Sequence, residues 1–372
     1  MVKIATIAEQ MPGALKLCYG ESDLPTPAFI CDAATEAMRA GHTFYTHTAG
    51  CLELRQAIAA KVLALHGVRY STSEIMATTG ATLAIYAAIR ACIGRGDNAI
   101  VISPAYAIFS NAVLMSGGEP RPVPLARTGS GFALDLDRVR AAIDANTRML
   151  VVNSPSNPTG WVITEAEQRA LVEIADRHDL VILADEVYER LVYRGEAAPS
   201  FARFETNRDR LIVVNSFSKA YNMTGWRLGW AQGSARTIQT MTKAVEFITS
   251  NPVAMVQQAG IVALRDGDSY IAGLRTQYAK RRDQVVHALA EIPGVSVPAP
   301  DGAFYAFLRI SSAIDSTAFT AALVQATGVA LAPGSAFGSD GEGYVRVCFA
   351  CSEETLADAL SKLRNFVTSA RA

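Results

Sequence analysis

Five short segments carry the side chains that are best suited to chemistry, and each follows directly after an apolar run. Together they supply a turn of small residues, an aromatic ring, an amide, a carboxylate beside a phenol, and a lysine beside hydroxyls. One kind of ligand would use all of these groups, namely an aromatic heterocycle that bears a phosphate and a carbonyl. The segments are Thr79–Thr82, Pro104–Tyr106, Ser154–Pro158, Asp185–Tyr188 and Ser216–Lys219.

The apolar runs before these segments predict the strands of one sheet. They are continuous rather than alternating, and amphipathic stretches such as Leu136–Ala145 and Thr164–His178 lie between them. This pattern is typical of an α/β fold, a mostly parallel sheet covered by helices on both faces. Since ligands of such sheets bind beyond the carboxyl ends of the strands, we expect the five segments to meet. The predicted strands are Glu74–Thr78, Asn98–Ile102, Met149–Asn153, Leu180–Ala184 and Leu211–Asn215.

The two ends of the chain predict a second, smaller α+β domain. Strand-like stretches occur at Ala303–Ile310 and Tyr344–Phe349, and an amphipathic helix is predicted from Ser352 to Ala370. The first forty residues hold a proline-rich turn and then a helix-like stretch. We therefore expect a large domain at residues 45–284 and a small domain built from residues 1–44 and 285–372.

Composition narrows the class of protein. The 372 residues are 50% hydrophobic and carry a net charge of −1, which disfavours a nucleic-acid binder. Neither an export signal nor an apolar run long enough to span a bilayer is present, so we expect a cytoplasmic protein without membrane contact. Six scattered cysteines fit reduced thiols. Cys348 and Cys351 form a single C-x-x-C in a strand-like stretch, which favours structural cysteines over a metal site.

The stretch from Ser216 to Trp230 is the most specific signal in the chain. It reads SFSKAYNMTGWRLGW, with Lys219 at its fourth position and Arg227 eight residues later. It resembles the cofactor-lysine segment of the class I/II aminotransferases, the fold-type I enzymes that use pyridoxal 5′-phosphate. Further matches follow in the same order along nearly the whole chain, at Gly20, Tyr45–Gly50, Asn153–Gly160, Ala184–Glu189, Asp301–Tyr305 and Val345–Val347.

The resemblance implies a role for each matched residue at the cofactor ring. Lys219 would hold the cofactor covalently and then act as the base that moves the substrate Cα proton. Asp185 would pair with the pyridine nitrogen, while Asn157 and Tyr188 would hydrogen-bond the phenolate oxygen. The ring would lie between Tyr106 and Val187.

The resemblance also implies sites for the phosphate and the substrate. Arg346 would bind the substrate α-carboxylate in a two-point fork, together with Asn157, and Gly20 would allow close backbone approach. Tyr45 would reach the phosphate of the neighbouring subunit, which implies a homodimer with shared active sites. The remaining phosphate ligands would be Gly80, Ala81, Thr82, Ser216, Ser218 and Arg227.

An aminotransferase that exchanges the amino group between an L-amino acid and a 2-oxo acid is the function that this pattern implies. A lyase, synthase, cyclase or oxidase acting on an amino acid could use the same residues and stays open. A non-catalytic domain of a transcription regulator is disfavoured, since the match begins near residue 20. A nicotinamide dehydrogenase is excluded because Gly94-Arg95-Gly96 lacks a third glycine and precedes a strand.

The side chain of the amino acid is left open by the sequence. Some aspartate-specific relatives carry an arginine in the stretch that corresponds to Glu246–Pro252, and this chain has none there. Phe44, Phe217 and Phe337 would favour aromatic or other apolar substrates if they lie at the site, but they could equally be packing residues.

Overall fold

The computed structural model describes residues 2–129 and 131–369. Its α-helices, in chain order, are α1 (Val2–Glu9), α2 (Ala28–Arg39), α3 (Leu52–His66), α4 (Ala81–Cys92), α5 (Ile108–Met115), α6 (Leu136–Ala141), α7 (Glu165–His178), α8 (Ala235–Thr249), α9 (Ala254–Asp266), α10 (Asp268–Ala290), α11 (Ser316–Thr327) and α12 (Glu353–Ser369). The strands are β1 (Leu15–Lys16), β2 (Ile75–Thr78), β3 (Asn98–Ser103), β4 (Glu119–Pro124), β5 (Ala126–Arg127), β6 (Phe132–Ala133), β7 (Thr147–Asn153), β8 (Val181–Asp185), β9 (Leu211–Ser216), β10 (Gly229–Gln232), β11 (Val295–Ser296), β12 (Tyr305–Ile310), β13 (Val329–Ala330), β14 (Ala332–Pro333) and β15 (Tyr344–Cys348).

A seven-stranded sheet forms the centre of the molecule, in the order β2-β10-β9-β8-β7-β3-β4. Strands β9, β8, β7, β3 and β4 pair in parallel, and β10 runs antiparallel to both of its neighbours. The predicted mostly parallel α/β sheet is confirmed. Each of the five predicted apolar runs is a strand of this sheet, and the predicted and observed ends differ by at most two residues.

Both faces of this sheet are covered by helices. In β7, Leu150 and Val152 pack into a core with α3, α7 and α9. Their neighbours Met149 and Val151 point to the opposite face, into a core with α4, α5 and α8. Because successive side chains of a strand alternate between faces, a strand buried on both sides must be apolar throughout.

A second sheet of four antiparallel strands lies outside the first, in the order β11-β12-β15-β14. The N-terminal segment joins this part of the molecule, since β1 pairs in parallel with β13. The core of the small sheet includes Leu17, apolar residues of α10, α11 and α12, and the aromatic residues Phe304 and Tyr305.

The division into residues 45–284 and residues 1–44 with 285–372 stays a prediction. Ile30 and Ala34 of α2 pack in the core of the large sheet, whereas Leu274 and Tyr278 of α10 pack in the core of the small sheet. Residue 1 and residues 370–372 of these ranges lie outside the described chain. The predicted final helix extends to Ala370, and the described helix ends at Ser369.

Helix α7 begins with the predicted capping box. The Thr164 hydroxyl accepts from the Glu167 N–H at 3.2 Å, and the Glu167 carboxylate accepts from the Thr164 N–H at 2.7 Å. Two N–H groups that have no partner within the helix are satisfied in this way. In contrast, α6 ends at Ala141, four residues before the predicted end at Ala145.

Within residues 2–129 and 131–369, no helix is both long and apolar enough to span a membrane.

Candidate active site

A cleft of about 310 Å³ opens beyond the carboxyl ends of β7, β8 and β9. The last residues of these strands, Asn153, Asp185 and Ser216, face it, and the N-terminus of α4 and strands β12 and β15 complete its wall. Its lining residues are Tyr19, Gly20, Ala81, Thr82, Ile85, Tyr106, Asn153, Asn157, Asp185, Val187, Tyr188, Ser216, Ser218, Lys219, Arg227, Tyr305 and Arg346.

This lining contains all of the predicted site residues except Gly80 and Tyr45. Gly80 lies immediately behind the cleft, where a Cβ atom would collide with the guanidinium of Arg227. Its φ of 80° adds a second reason for glycine at this turn. Tyr45 is 89% exposed and lies outside the lining, so its predicted role depends on a second copy of the chain.

Lys219 follows strand β9 and extends its amine into the cleft. Its Nζ donates to the backbone oxygen of Gly20 at 2.6 Å. Burial lowers the pKa of Lys219 to about 8, because the charged ammonium loses water and the nearby Arg346 adds positive potential. An amine with this pKa exchanges protons readily near neutral pH.

Asp185 is the last residue of β8 and is buried. Its carboxylate accepts from the Val187 N–H at 3.2 Å, and its backbone oxygen accepts from Ser154 N and Asn153 Nδ2, both at 3.1 Å. Burial raises the pKa of Asp185 to about 7, against the opposing effects of the Val187 N–H and of Lys219. A buried carboxylate of this kind is suited to pair with a cationic N–H group of a ligand.

The side of the cleft near α4 is suited to an anion. Helix α4 starts at Ala81 without a side-chain cap, so its first N–H groups stay available. The hydroxyls of Ser216 and Ser218 lie 2.9 Å apart, and Arg227 donates to the Thr224 backbone oxygen at 2.8 Å. A guanidinium, two hydroxyls and a helix N-terminus together form a donor set for a phosphate.

Arg346 is a buried cation in the second wall of the cleft. Its Nη1 donates to Asn157 Oδ1 at 2.8 Å, and its Nη2 donates to the Cys18 backbone oxygen at 2.5 Å. Its buried Nε has no hydrogen-bond partner within residues 2–129 and 131–369. Since both acceptors are neutral, the guanidinium has charge left for an anionic ligand.

Four lining residues had no predicted role. Asn153 Oδ1 accepts from the backbone N–H of Asn157 at 2.8 Å and so fixes the backbone of the residue whose side chain contacts Arg346. Asn153 is the last residue of a predicted strand, one position before the segment that the strand-end rule selects, so the rule that identified Asp185 does not include it. Tyr305 occurred in a matched motif without a role. Tyr19 and Ile85 lie away from strand ends, and no pattern in the sequence marked them.

The three phenylalanines that the sequence left open are not part of the lining. Phe217 is buried and packs against Trp230 with ring centroids 5.2 Å apart. Phe337 is buried with the Arg346 guanidinium 5.0 Å from its ring centroid, and Phe44 is exposed.

The strand-like stretch that contains the C-x-x-C ends at Cys348, so Cys351 lies in the following turn. No cluster of three or more His, Cys, Asp or Glu residues in the described chain is arranged to hold a metal ion.

Residues 12–363 match the family described as "Aminotransferase class I and II". The chain belongs to this family. An aspartate aminotransferase from Pyrococcus horikoshii is 35% identical over 359 residues, which cover 96% of this chain and 91% of the relative. The aromatic-amino-acid aminotransferase 2 of Thermococcus litoralis is 35% identical over 97% of this chain and 93% of its own. The solved structure of N-succinyldiaminopimelate aminotransferase from Mycobacterium tuberculosis superposes with a TM-score of 0.93, at 36% identity, over 98% of this chain and 96% of the other.

These similarities confirm both the predicted family and the predicted activity. The protein is an aminotransferase of fold type I that exchanges an amino group between an amino acid and a 2-oxo acid. The three relatives act, by their names, on amino acids with different side chains. Family membership therefore defines the reaction but leaves the side chain of the substrate open.

Proposed function

We propose that the cleft binds pyridoxal 5′-phosphate, that Lys219 holds it covalently, and that amino-group transfer takes place there. The observation that carries the proposal is the Lys219 amine, which lies in one cleft with the buried carboxylate of Asp185. The surrounding groups fit the cofactor. Asp185 suits a protonated ring nitrogen, and the donor set of Ser216, Ser218, Arg227 and the α4 N-terminus suits a phosphate.

When bound, the cofactor supplies an electron-withdrawing ring that stabilises negative charge on the substrate Cα. Lys219 accepts and returns the Cα proton, which its lowered pKa allows near neutral pH. Asp185 keeps a proton on the ring nitrogen. Asn157 and Tyr188 would hydrogen-bond the phenolate oxygen of the ring, and Tyr106 and Val187 would hold the ring between them.

Arg346 binds the α-carboxylate that every amino acid and 2-oxo acid substrate shares. Its unpartnered Nε and its neutral neighbours leave it free to form a two-point contact. Asn157, already bonded to Arg346, adds a donor, and Gly20, whose backbone oxygen accepts from Lys219, lines the same cleft. A carboxylate fixed in this way sets which bond at Cα faces Lys219.

A homodimer with shared sites is part of the proposal. Phe44 and Tyr45 expose 80% and 89% of their surface, which is unusual for two adjacent aromatic residues of a monomer. A larger cavity of about 650 Å³, lined by Thr224, Arg227 and Val253, opens beside the phosphate end of the cleft. Tyr45 of a second copy would enter there and add a hydroxyl to the phosphate.

The cytoplasm is the compartment that we propose for the enzyme. All six cysteines are free thiols, and each lies within the described part of the chain. Unpaired cysteines suit a reducing environment.

Borohydride reduction of the protein loaded with pyridoxal 5′-phosphate tests the proposal directly. We expect peptide mass mapping to find the cofactor fixed on the peptide that contains Lys219. Lys219→Ala should abolish both the label and the transfer of amino groups to a 2-oxo acid. Lys280→Ala, which removes an exposed lysine from α10, should change neither. Full transfer activity in the Lys219→Ala protein would overturn the proposal.

A further inference from the structure

Tyr305 lies between the residues proposed for the cofactor and those proposed for the substrate. It is the first residue of β12, it is fully buried, and its side chain lines the cleft. Its hydroxyl lies 2.7 Å from the hydroxyl of Tyr188. Its ring lies beside Arg346, with the guanidinium carbon 4.4 Å from the ring centroid. One side chain therefore contacts the groups that serve both ligands.

We propose that Tyr305 is a positioning residue that orients the Tyr188 hydroxyl towards the cofactor and holds Arg346 for the substrate carboxylate. The inference rests on the proposed function. It assigns to Tyr305 two separable contributions, one from its hydroxyl and one from its ring.

The contribution of the hydroxyl follows from counting protons. The Tyr188 hydroxyl has one proton, and in the loaded enzyme it would use that proton to donate a hydrogen bond to the phenolate oxygen of the cofactor. The bond between the two phenols then requires Tyr305 to be the donor. A phenol that accepts one hydrogen bond becomes a stronger donor in the next, so Tyr305 strengthens the bond that Tyr188 makes.

The contribution of the ring follows from the register of the small sheet. Phe307 of β12 lies directly opposite Arg346 of β15, and Tyr305 is two residues before Phe307 on the same face. Arg346 therefore lies against the ring of Tyr305, at 4.4 Å, and Phe337 from the segment after β14 contacts it at 5.0 Å. These flat, apolar neighbours limit the guanidinium to the orientation in which Nη1 bonds Asn157.

Gly20 gives a steric reason why the position of the hydroxyl is well defined. A Cβ atom at residue 20 would come within 2.5 Å of the Tyr305 hydroxyl oxygen. The backbone of residue 20 and the hydroxyl of Tyr188 thus enclose the Tyr305 hydroxyl from two sides. Since Tyr305 is fully buried and pairs with Cys348 of β15, the ring cannot shift away easily.

The test of the hydroxyl uses the pH titration of the visible absorbance band of the bound cofactor. It compares the wild type with Tyr305→Phe, Tyr188→Phe and the double variant. Tyr305→Phe should raise the midpoint of this titration by roughly half to one pH unit, because Tyr188 then stabilises the phenolate form of the cofactor less strongly. In the Tyr188→Phe background the same change should have no further effect. Equal shifts in both backgrounds, or no shift in the single variant, would overturn this part.

The test of the ring compares Tyr305→Phe with Tyr305→Leu. Phenylalanine keeps the ring beside Arg346, so KM for the amino-acid donor should stay within about twofold of the wild type. Leucine removes the ring, and KM should rise roughly fivefold to thirtyfold. Equal KM values for the two variants would contradict the contribution of the ring. Tyr278→Phe is the matched control, since it removes the hydroxyl of another buried tyrosine that packs on Phe304.

The same experiment separates this inference from the proposed function. If the wild type binds pyridoxal 5′-phosphate and shows a pH-dependent visible band, the proposed function stands, and the variants decide the role of Tyr305. If the wild type shows no such band with added cofactor, the proposed function fails and the role of Tyr305 fails with it. As a second readout, urea unfolding of the cofactor-free proteins should show that the effects of Tyr188→Phe and Tyr305→Phe are less than additive.

Discussion

Burial raises the pKa of Asp185 and lowers the pKa of Lys219. The two residues therefore change the stability of the folded chain in opposite directions as the pH rises. Well below its ordinary pKa of 3.8, Asp185 is protonated in both the folded and the unfolded chain, and it costs no stability. As the pH rises towards the folded pKa of about 7, the unfolded chain releases this proton first, so the folded state loses stability. Lys219 acts in the opposite direction, since its folded pKa of about 8 lies below the ordinary value and stability returns as pH rises further.

Asp185→Asn should therefore stabilise the cofactor-free protein at about pH 8 and have a much smaller effect at about pH 4, where the unfolded chain has only begun to release this proton. The gain at the higher pH should be roughly 2 to 4 kcal/mol, because the buried charge is removed. Urea unfolding at the two pH values measures it. Asp137→Asn, which changes a carboxylate that is 93% exposed, is the control and should show little difference at either pH. A variant that is less stable than the wild type at about pH 8 would contradict the effect assigned to burial.

Arg346→Lys should lower kcat/KM for the amino-acid donor roughly 10- to 100-fold. A lysine cannot bond Asn157 and Cys18 while it also offers two parallel donors to a carboxylate. Steady-state kinetics with the amino acid and with the matching amine that lacks a carboxylate measure the effect. In the variant, kcat/KM should fall for the amino acid and should stay at the wild-type value for the amine. Arg309→Lys, on the neighbouring strand and exposed, is the matched control and should retain the wild-type value.

The sequence predicts the residues that follow strand ends better than those that approach the cleft from elsewhere. Asp185, Asn157 and Lys219 each follow an apolar run, and parallel pairing brings those ends together. Tyr305 comes from a different sheet, and its contact with Tyr188 spans 117 residues of sequence. No local pattern encodes such a contact, because it depends on how the two sheets pack.

Among the elements, helix α7 offers a direct test of local stability because its capping box lies far from the cleft. Thr164→Ala removes the hydroxyl that accepts from the Glu167 N–H, and it should lower the free energy of unfolding by about 1 kcal/mol. Differential scanning calorimetry should show a lower Tm, while kcat and KM should not change. Thr240→Ala in α8 is the control. Its hydroxyl bonds only within its own helix, where alanine is the better helix former, so Tm should stay equal or rise. An unchanged Tm in Thr164→Ala would show that the cap contributes nothing.

The long apolar strands could be predicted from sequence, and the short ones could not. Strands β3 and β7 have six and seven residues that are buried almost throughout, which produces a visible apolar run. Strands β1, β13 and β14 have two residues each, too few to show any period. The antiparallel strand β10 lies between β2 and β9, and only the folded chain reveals this order. Its position matters because β10 directly follows the turn that carries Arg227.

At the scale of the whole molecule, the cleft joins two sheets whose segments come from distant parts of the chain. Lys219 and Asp185 come from the large sheet, and Arg346 comes from the small one. The turn after β8 links them, since Val187 and Tyr188 also pack in the core of the small sheet. Any movement between the sheets would therefore change the distance from Lys219 to Arg346. Phe44 and Tyr45 are exposed, and in the proposed homodimer Tyr45 of a second copy would add a further distant segment to the site.

Complementation between two inactive variants tests whether the sites are shared. In a mixed dimer of a Lys219→Ala chain and a Tyr45→Ala chain, the site that retains Lys219 receives the intact Tyr45 of the other chain. Each pure variant should have low activity and, for Tyr45→Ala, weaker affinity for pyridoxal 5′-phosphate. After the two proteins are unfolded together and refolded at equal concentration, about half of the dimers should be mixed, and roughly a quarter of wild-type activity should return. Separate refolding followed by mixing on ice, where subunits do not exchange, is the control. If activity after joint refolding equals the mean of the two pure variants, Tyr45 acts within its own chain or not at all, and the shared site is wrong.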